Sequence, residues 1–396
     1  MTDDRDIYSQ LGVSSKKSVV YEAIKSLDKG LFPGAFCKIV KDVENRSSHC
    51  SIFHSDGAGT KSSLAYLYFK ETKDIDIFRG IVRDAIVMNI DDIICVGATG
   101  NFFISNNIGR NAKVISGEII STIIDEYDKY CKKMTNLGLD TTLCGGETAD
   151  IGDIVKTILV DASVFTTMRR DNVINAANII KGDVIIGLAS FGKATYEEEY
   201  NSGIGSNGLT LARHGVLHHE YYHRYPECYD PNLDEKYLFY GNYTLTDINQ
   251  GLNQNIGKAL LSPTRTYVPI VLEVLKNYRG SIHGMIHNTG GGQTKDLNFG
   301  RRIKYIKNNL FKLPRIFEII QNSSETSWRE MYQVFNMGHR MEFFTDEVIA
   351  EEIIKIAKKY NVKAKIIGYC ESSPSKSDNL LEIKSEFGSF NYTKHV

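Results

Sequence analysis

Residues His54 to Ala65, HSDGAGTKSSLA, place two glycines, a threonine and a lysine directly behind an aspartate. Asp56 follows an apparent strand, CSIFHSDG, and Gly57 and Gly59 allow the backbone to approach a ligand closely. Thr60 and Lys61 are donors suited to phosphate oxygens. A P-loop needs glycine immediately before its lysine, and Thr60 stands there instead, so the loop has the parts of a nucleotide site in another order. Two more carboxylates belong to the same chemistry. Asp92 lies in the apolar run AIVMNIDDIICVGA, where a buried carboxylate needs a partner or a metal, and Glu147 follows Gly145 and Gly146 in CGGETAD, a glycine turn behind a strand. A magnesium ion on a polyphosphate takes one or two protein carboxylates. Asp56, Asp92 and Glu147 with Lys61 therefore form a candidate metal and phosphate set, provided the fold brings them together. The alternatives are a helix cap at Asp56, an arginine partner for Asp92 and a capped turn at Glu147.

The elements that must position these residues alternate between strand and helix. Phe78 to Val96 has apolar residues at helical spacing around most of its circumference, which predicts a largely buried helix. AKVISGEIISTIIDEYDKYCKKM predicts an amphipathic helix with Ile119, Ile123 and Tyr127 on one stripe, and SVVYEAIKSL a helix near the start. KTILVDASVFTTM and VIIGLASFG read as strands, separated by a polar break from Met168 to Asp183. From Lys193 to Gly257 the chain turns polar and rich in tyrosine and histidine, like an elaborated surface region; TYVPIVLEVLKNY is a further helix. A chain of 396 residues is long enough for two domains. The reading is an α/β (α+β) protein with domains at 1–168 and 180–396, the second enlarged at about 193–257.

Lysine plus arginine (47) nearly cancels aspartate plus glutamate (48), so no global field recruits nucleic acid or an anionic membrane. No apolar run approaches the roughly 20 residues that span a bilayer, and the acidic start lacks the blocks of a signal peptide. Seven cysteines without a C-x-x-C argue against a disulfide framework or cysteine zinc site. The expectation is a cytoplasmic protein with no nucleic-acid or membrane partner.

Several segments in order resemble the phosphoribosylformylglycinamidine cyclo-ligase (aminoimidazole ribonucleotide synthetase) family. SDGAGTKSSLA resembles its S/T-D-G-V-G-T-K loop, IDDIICVGA its N-D-L-x-x-x-G-A helix and CGGETAD its G-G-E-T-A-E turn. GSNGLTLAR, LSPTRTYV, IHNTGGG and EMYQVFNMG resemble its H-S-N-G-Y-S-L-x-R, L-x-P-T-R-I-Y-V, A-H-L-T-G-G-G and E-M-x-R-x-F-N-x-G segments. The resemblance implies an N-terminal domain with a mixed sheet that forms a homodimer interface near the active site, and a C-terminal α/β sandwich. It implies ATP and Mg2+ as the groups bound, and ATP-driven closure of formylglycinamidine ribonucleotide to aminoimidazole ribonucleotide.

Carried onto this chain, ATP contacts fall at Asp56, Gly57, Gly59, Thr60, Lys61, Gly145, Gly146, Glu147, Asn207, Thr264 and Arg265, and metal ligands at Asp56, Asp92 and Glu147. Lys61 is also the catalytic cation. His287, in IHNTGGG, is the candidate general base or substrate-orienting group, with a hydrogen bond to the glycine turn as the plainer role. Arg265 either clamps a ribose phosphate or holds the second domain together, and Asn336 is a substrate or structural position. The chain departs from the family pattern at Gly205 (histidine there), Asp91 (asparagine) and Arg340 (glycine), and lacks the proline after GGETAD. Three other readings remain: another ATP-using member of the superfamily, a non-catalytic nucleotide-binding paralogue, and a zinc protease built on His219-Glu220-x-x-His223.

Overall fold

The computed structural model describes residues 6–14, 22–23, 26–375 and 377–394; the expected helix SVVYEAIKSL falls largely outside them. The first half runs α1 (Ile7–Gln10), β1 (Ile39–Lys41), β2 (His49–Gly57), α2 (Lys61–Thr72), α3 (Ile77–Ile94), β3 (Phe102–Arg110), α4 (Gly117–Asn136), β4 (Thr141–Asp150) and β5 (Ile158–Arg169). Its strands form one mixed sheet in the order β1-β2-β5-β3-β4, with β3 and β4 parallel and the other pairs antiparallel. Alternation decides its faces. In β5, Ile158, Val160, Ala162, Val164, Thr166 and Met168 are buried, while the residues between them are more open. The inner face packs on α3 and α4. The outer face has no cover among the described residues: Phe53 is 68% exposed and Phe103 43%.

α4 is amphipathic as its spacing predicts, with Ile119, Ile123, Tyr127 and Met134 buried and Ser116 capping its start through the Ile119 amide. α3 is different. Apolar residues cover nearly all of it, and its β-branched isoleucines and valines are poor intrinsic helix formers. Burial against sheet and second domain holds it helical. The segment TTLCGGETAD is not a strand ending in a turn. It is the continuous edge strand β4, with an irregularity in its pairing to β3 next to Gly145 (φ 87°). Gly146 is required there, because a Cβ would lie 2.2 Å from the Asn106 carbonyl oxygen.

The second half runs β6 (Val184–Ala189), α5 (Leu209–Val216), α6 (Glu220–Arg224), α7 (Ile256–Leu261), α8 (Val268–Tyr278), β7 (Gly284–His287), β8 (Ile303–Lys307), α9 (Arg315–Ser324), α10 (Trp328–Val334), β9 (His339–Thr345), α11 (Glu347–Lys359), β10 (Ala364–Ser372), β11 (Leu380–Ser385) and β12 (Gly388–Thr393). Its sheet order is β12-β11-β8-β10-β6-β9-β7, parallel only between β11 and β8. The tyrosine-rich stretch from 193 to 257 is less of a surface feature than its composition suggests. Tyr221, Cys228 and Phe239 are buried, and His214 meets the Phe239 ring edge-on at 4.6 Å.

Candidate functional site

α3 is the element from which the site is built, because it lies between the two sheets. Asp84, Met88, Asp91 and Asp92 fall one or two turns apart on one face, toward the second half of the chain. Asn89 faces the other way. Its amide donates to the carbonyls of Asp56 (3.1 Å) and Ala162 (3.0 Å) and accepts from His54 Nδ1 (2.9 Å), tying α3 to β2 and β5.

Asp92 accepts from His287 Nδ1 at 2.7 Å, and its other oxygen lies 3.5 Å from His54 Nε2. Burial works to raise the Asp92 carboxyl, but the Lys295 ammonium, with His287 and His54, outweighs it and leaves Asp92 below the ordinary carboxylate range. Asp56 moves the other way, raised by burial and by the neighbouring Asp92 charge. Asp56 and Asp92 are thus a close acidic pair beside one lysine, a donor set that suits magnesium on a polyphosphate. Next to them, Gly59 and Thr60 open α2. Both are exposed, a Cβ at Gly59 would meet nothing within 4 Å, and their amides donate to no acceptor among the described residues. A helix N-terminus with free amides attracts anions.

Four of the expected site groups are placed otherwise than at a shared phosphate and metal centre. Glu147 does not join Asp56 and Asp92. In register across the sheet run Gly57, Asp161, Asn107 and Glu147, so Glu147 stands three strands from Gly57, about 14 Å at the usual strand spacing. It also lies on the outer face, opposite Asp56, and Gly145 and Gly146 are carried away with it. Among the described residues no three His, Cys, Asp or Glu side chains form a metal-holding group.

Lys61 does not face the phosphate side. It is fully buried, and its ammonium donates to Asp84 (3.0 Å to Oδ1), the Gly205 carbonyl (3.0 Å) and the Ser262 carbonyl (2.6 Å), which uses its three donors. Burial pulls its pKa down against the pull of Asp84.

His287 has both ring nitrogens engaged inside the protein. It is fully buried, Nδ1 faces Asp92, and Nε2 accepts from Arg340 Nε at 3.0 Å. Burial, partly opposed by Asp92 and reinforced by the Arg340 cation, lowers its pKa to about 4.

Thr264 and Arg265 are buried and bonded within the protein. Thr264 gives both amide (2.7 Å) and hydroxyl (2.6 Å) to Asp84. Arg265 donates to Glu197 (2.9 and 2.5 Å) and to the Ala189 and Phe191 carbonyls, the contacts of a buried arginine. Asn336 likewise binds the Gly203 and Ile204 carbonyls and accepts from Ser190. Asp91 gains an account: its carboxylate accepts from the Thr266 hydroxyl and the Tyr267 amide, both at 2.8 Å, at the start of α8, and burial raises its pKa to about 7.

The structure adds residues that the sequence reading missed. Lys295 donates to the Thr289 hydroxyl and lies 4.7 Å over the Phe36 ring. Its signal was the lysine right after TGGGQT. His54 precedes the aspartate loop by two residues, on the same strand face as Asp56. Asn207 is half-buried beside them, accepting from Arg340 at 3.2 Å, and its neighbour Ser206 donates to the Ala58 carbonyl at 3.1 Å. In the HEYYH segment, His219 has Nδ1 on the Leu238 carbonyl and Nε2 3.5 Å from Glu235, and the segment belongs to no metal-holding group of three His, Cys, Asp or Glu among the described residues. A cavity of about 710 Å³ between the start of α3, α4 and residues 196–201 contains none of the acidic pair, and its charged walls are of both signs. No helix among the described residues is long and apolar enough to cross a membrane.

The description "AIR synthase related protein, N-terminal domain" matches residues 37–168, and "AIR synthase related protein, C-terminal domain" matches residues 181–378. The phosphoribosylformylglycinamidine cyclo-ligase of Methanocaldococcus jannaschii is 30% identical over 322 residues, 80% of this chain and 77% of the relative. That of Methanococcus vannielii is 29% identical over 370 residues, 92% and 86% of the two chains. In fold, the chain is similar to phosphoribosylformylglycinamidine synthase II from Thermotoga maritima, with a TM-score of 0.55 at 13% identity; 98% of this chain is covered, and it spans 51% of that longer one.

Proposed function

The chain belongs to the AIR synthase related family, and on that premise we propose that it closes the imidazole ring of formylglycinamidine ribonucleotide with ATP, giving aminoimidazole ribonucleotide, ADP and phosphate in purine biosynthesis. An amide oxygen is a poor leaving group. It takes the terminal phosphoryl group of ATP, an amidine nitrogen then attacks the activated carbon, and the C–O bond breaks to release phosphate. Such a transfer asks the protein chiefly for positioning and charge neutralisation. The observation that carries this reading is the open N-terminus of α2 set beside the Asp56–Asp92 pair.

In this reading Gly59 and Thr60 give backbone amides to the triphosphate, Lys295 lies alongside as the cation, and Asn207 offers its amide from the facing loop. Asp56 and Asp92 would hold magnesium, which supplies neutralisation of phosphate charge. Lys61 acts at one remove, pinning the first turn of α2 to Asp84 and to the second domain. The proposal includes a cytoplasmic homodimer. The open sheet face with Phe53, Phe103 and Phe165 supports it, since a contiguous exposed apolar patch marks an interaction surface. Glu147 lies on that face and meets the second copy.

The test is ADP release from the purified protein with magnesium and ATP, with and without formylglycinamidine ribonucleotide, beside Asp56→Asn. Substrate-dependent ADP formation that the variant loses, with aminoimidazole ribonucleotide as product, is the expected result. ATP binding without substrate-dependent turnover would point to a different substrate or a silent paralogue.

A further inference from the structure

Two departures from the family motifs, Gly205 and Arg340, are far apart in sequence and touch in the fold. A Cβ built on Gly205 would lie 1.5 Å from Arg340 Nη1 and 2.7 Å from its Cζ. The guanidinium therefore occupies the volume in which any side chain at 205 would begin, and Gly205 itself sits at φ 72°. Arg340 reaches there from β9 and is 1% exposed. From that position Nε donates to His287 Nε2 at 3.0 Å, which keeps the imidazole proton on Nδ1, toward Asp92. Nη2 donates to the Met88 sulfur (2.8 Å) and to Asn207 Oδ1 (3.2 Å). The second bond decides the orientation of the Asn207 carboxamide, since Oδ1 is taken inward and the NH2 group is left for the cleft. Nη1 has no hydrogen-bond partner among the described residues. A chain present for packing alone would do better as an apolar residue of like volume.

We propose that Arg340 is a positioning residue of the site, matched by volume to Gly205, whose guanidinium aims the Asn207 amide at a phosphoryl oxygen of the bound nucleotide. The place of Asn207 agrees with this, because Ser206 beside it bonds the loop that opens α2. The nucleotide as ligand rests on the function proposed above.

The test is calorimetric titration of magnesium–ATP into wild type, Arg340→Met, Asn207→Ala and the double variant. Loss of a hydrogen bond to a charged group lowers affinity by about 10- to 100-fold. The expected result is a loss of at least about tenfold in each single variant and no further loss in the double, since both break one interaction. Wild-type affinity in Arg340→Met, or losses that multiply in the double variant, would overturn the assignment, because an arginine that only supports the fold acts independently of Asn207. The volume match is read separately. Gly205→Ala should lower the melting temperature of the wild type and lower it less in an Arg340→Ala background; equal drops refute the match. Turnover of formylglycinamidine ribonucleotide is followed in parallel. Its absence with intact ATP binding counts against the cyclo-ligase reading alone, and a wild type that binds no magnesium–ATP overturns both.

Discussion

Lys61→Met separates two roles that a lysine in a glycine-rich loop can have. Lys61 and Asp84 are both fully buried, with the closest contact at 2.8 Å, and Asp84 also accepts two bonds from Thr264. Removing one partner of a buried pair leaves an uncompensated charge, which costs about 3–5 kcal/mol. The Gly205 and Ser262 carbonyls lose a donor as well. At about 2.1 cal/mol/K of unfolding entropy per residue, a chain of 396 residues loses about 4–6 °C in melting temperature for that energy. The Lys61→Met/Asp84→Asn double variant should recover much of the loss, because the second change removes the stranded charge and leaves Thr264 an acceptor. The assay is a melting curve by circular dichroism, run beside magnesium–ATP titration on the same samples. A Lys61→Met protein that melts like wild type but has lost nucleotide affinity would refute the reasoning and return Lys61 to the phosphates.

Two further outcomes are expected. Lys307 is buried between Asp296 and Glu342, at 2.8 and 2.7 Å, so one cation faces two carboxylates; burial and the Glu342 charge raise Asp296 to about 8. Unfolded, Asp296 gives up its proton near its ordinary pKa of about 4, whereas folded it keeps the proton to about 8. Its contribution therefore falls as pH rises across that window, and Asp296→Asn should show a flatter urea midpoint from pH 5 to 9 than wild type; parallel profiles would contradict this. Phe53→Asp with Phe103→Asp should shift the sedimentation coefficient from that of a dimer to that of a monomer while leaving the melting curve of the chain nearly unchanged, and a dimer that survives both changes would exclude this face as the contact.

Local chemistry was well expressed in the sequence. The 3.6-residue recurrence from Phe78 to Val96 led to α3, the stripe Ile119–Ile123–Tyr127 to the buried side of α4, and the two glycines behind Asp56 to a loop whose backbone a ligand can approach. These follow from interactions within a few residues, so the order of residue types is enough to decide them. What the sequence could not decide is which distant groups each side chain meets. Glu147 has the same glycine-rich setting as Asp56, yet strand order and the two-residue parity of β4 put it on the other face of the sheet. Lys61 has the composition of a phosphate ligand, but α2 turns it onto Asp84. Gly205 and Arg340, each an isolated departure when read along the chain, are one packing solution in space. By itself the sequence determined the kinds of chemistry available and the helices and strands that carry them. Only the tertiary structure decided which charges neutralise one another, because burial and pairing are set by long-range contacts that no local window contains.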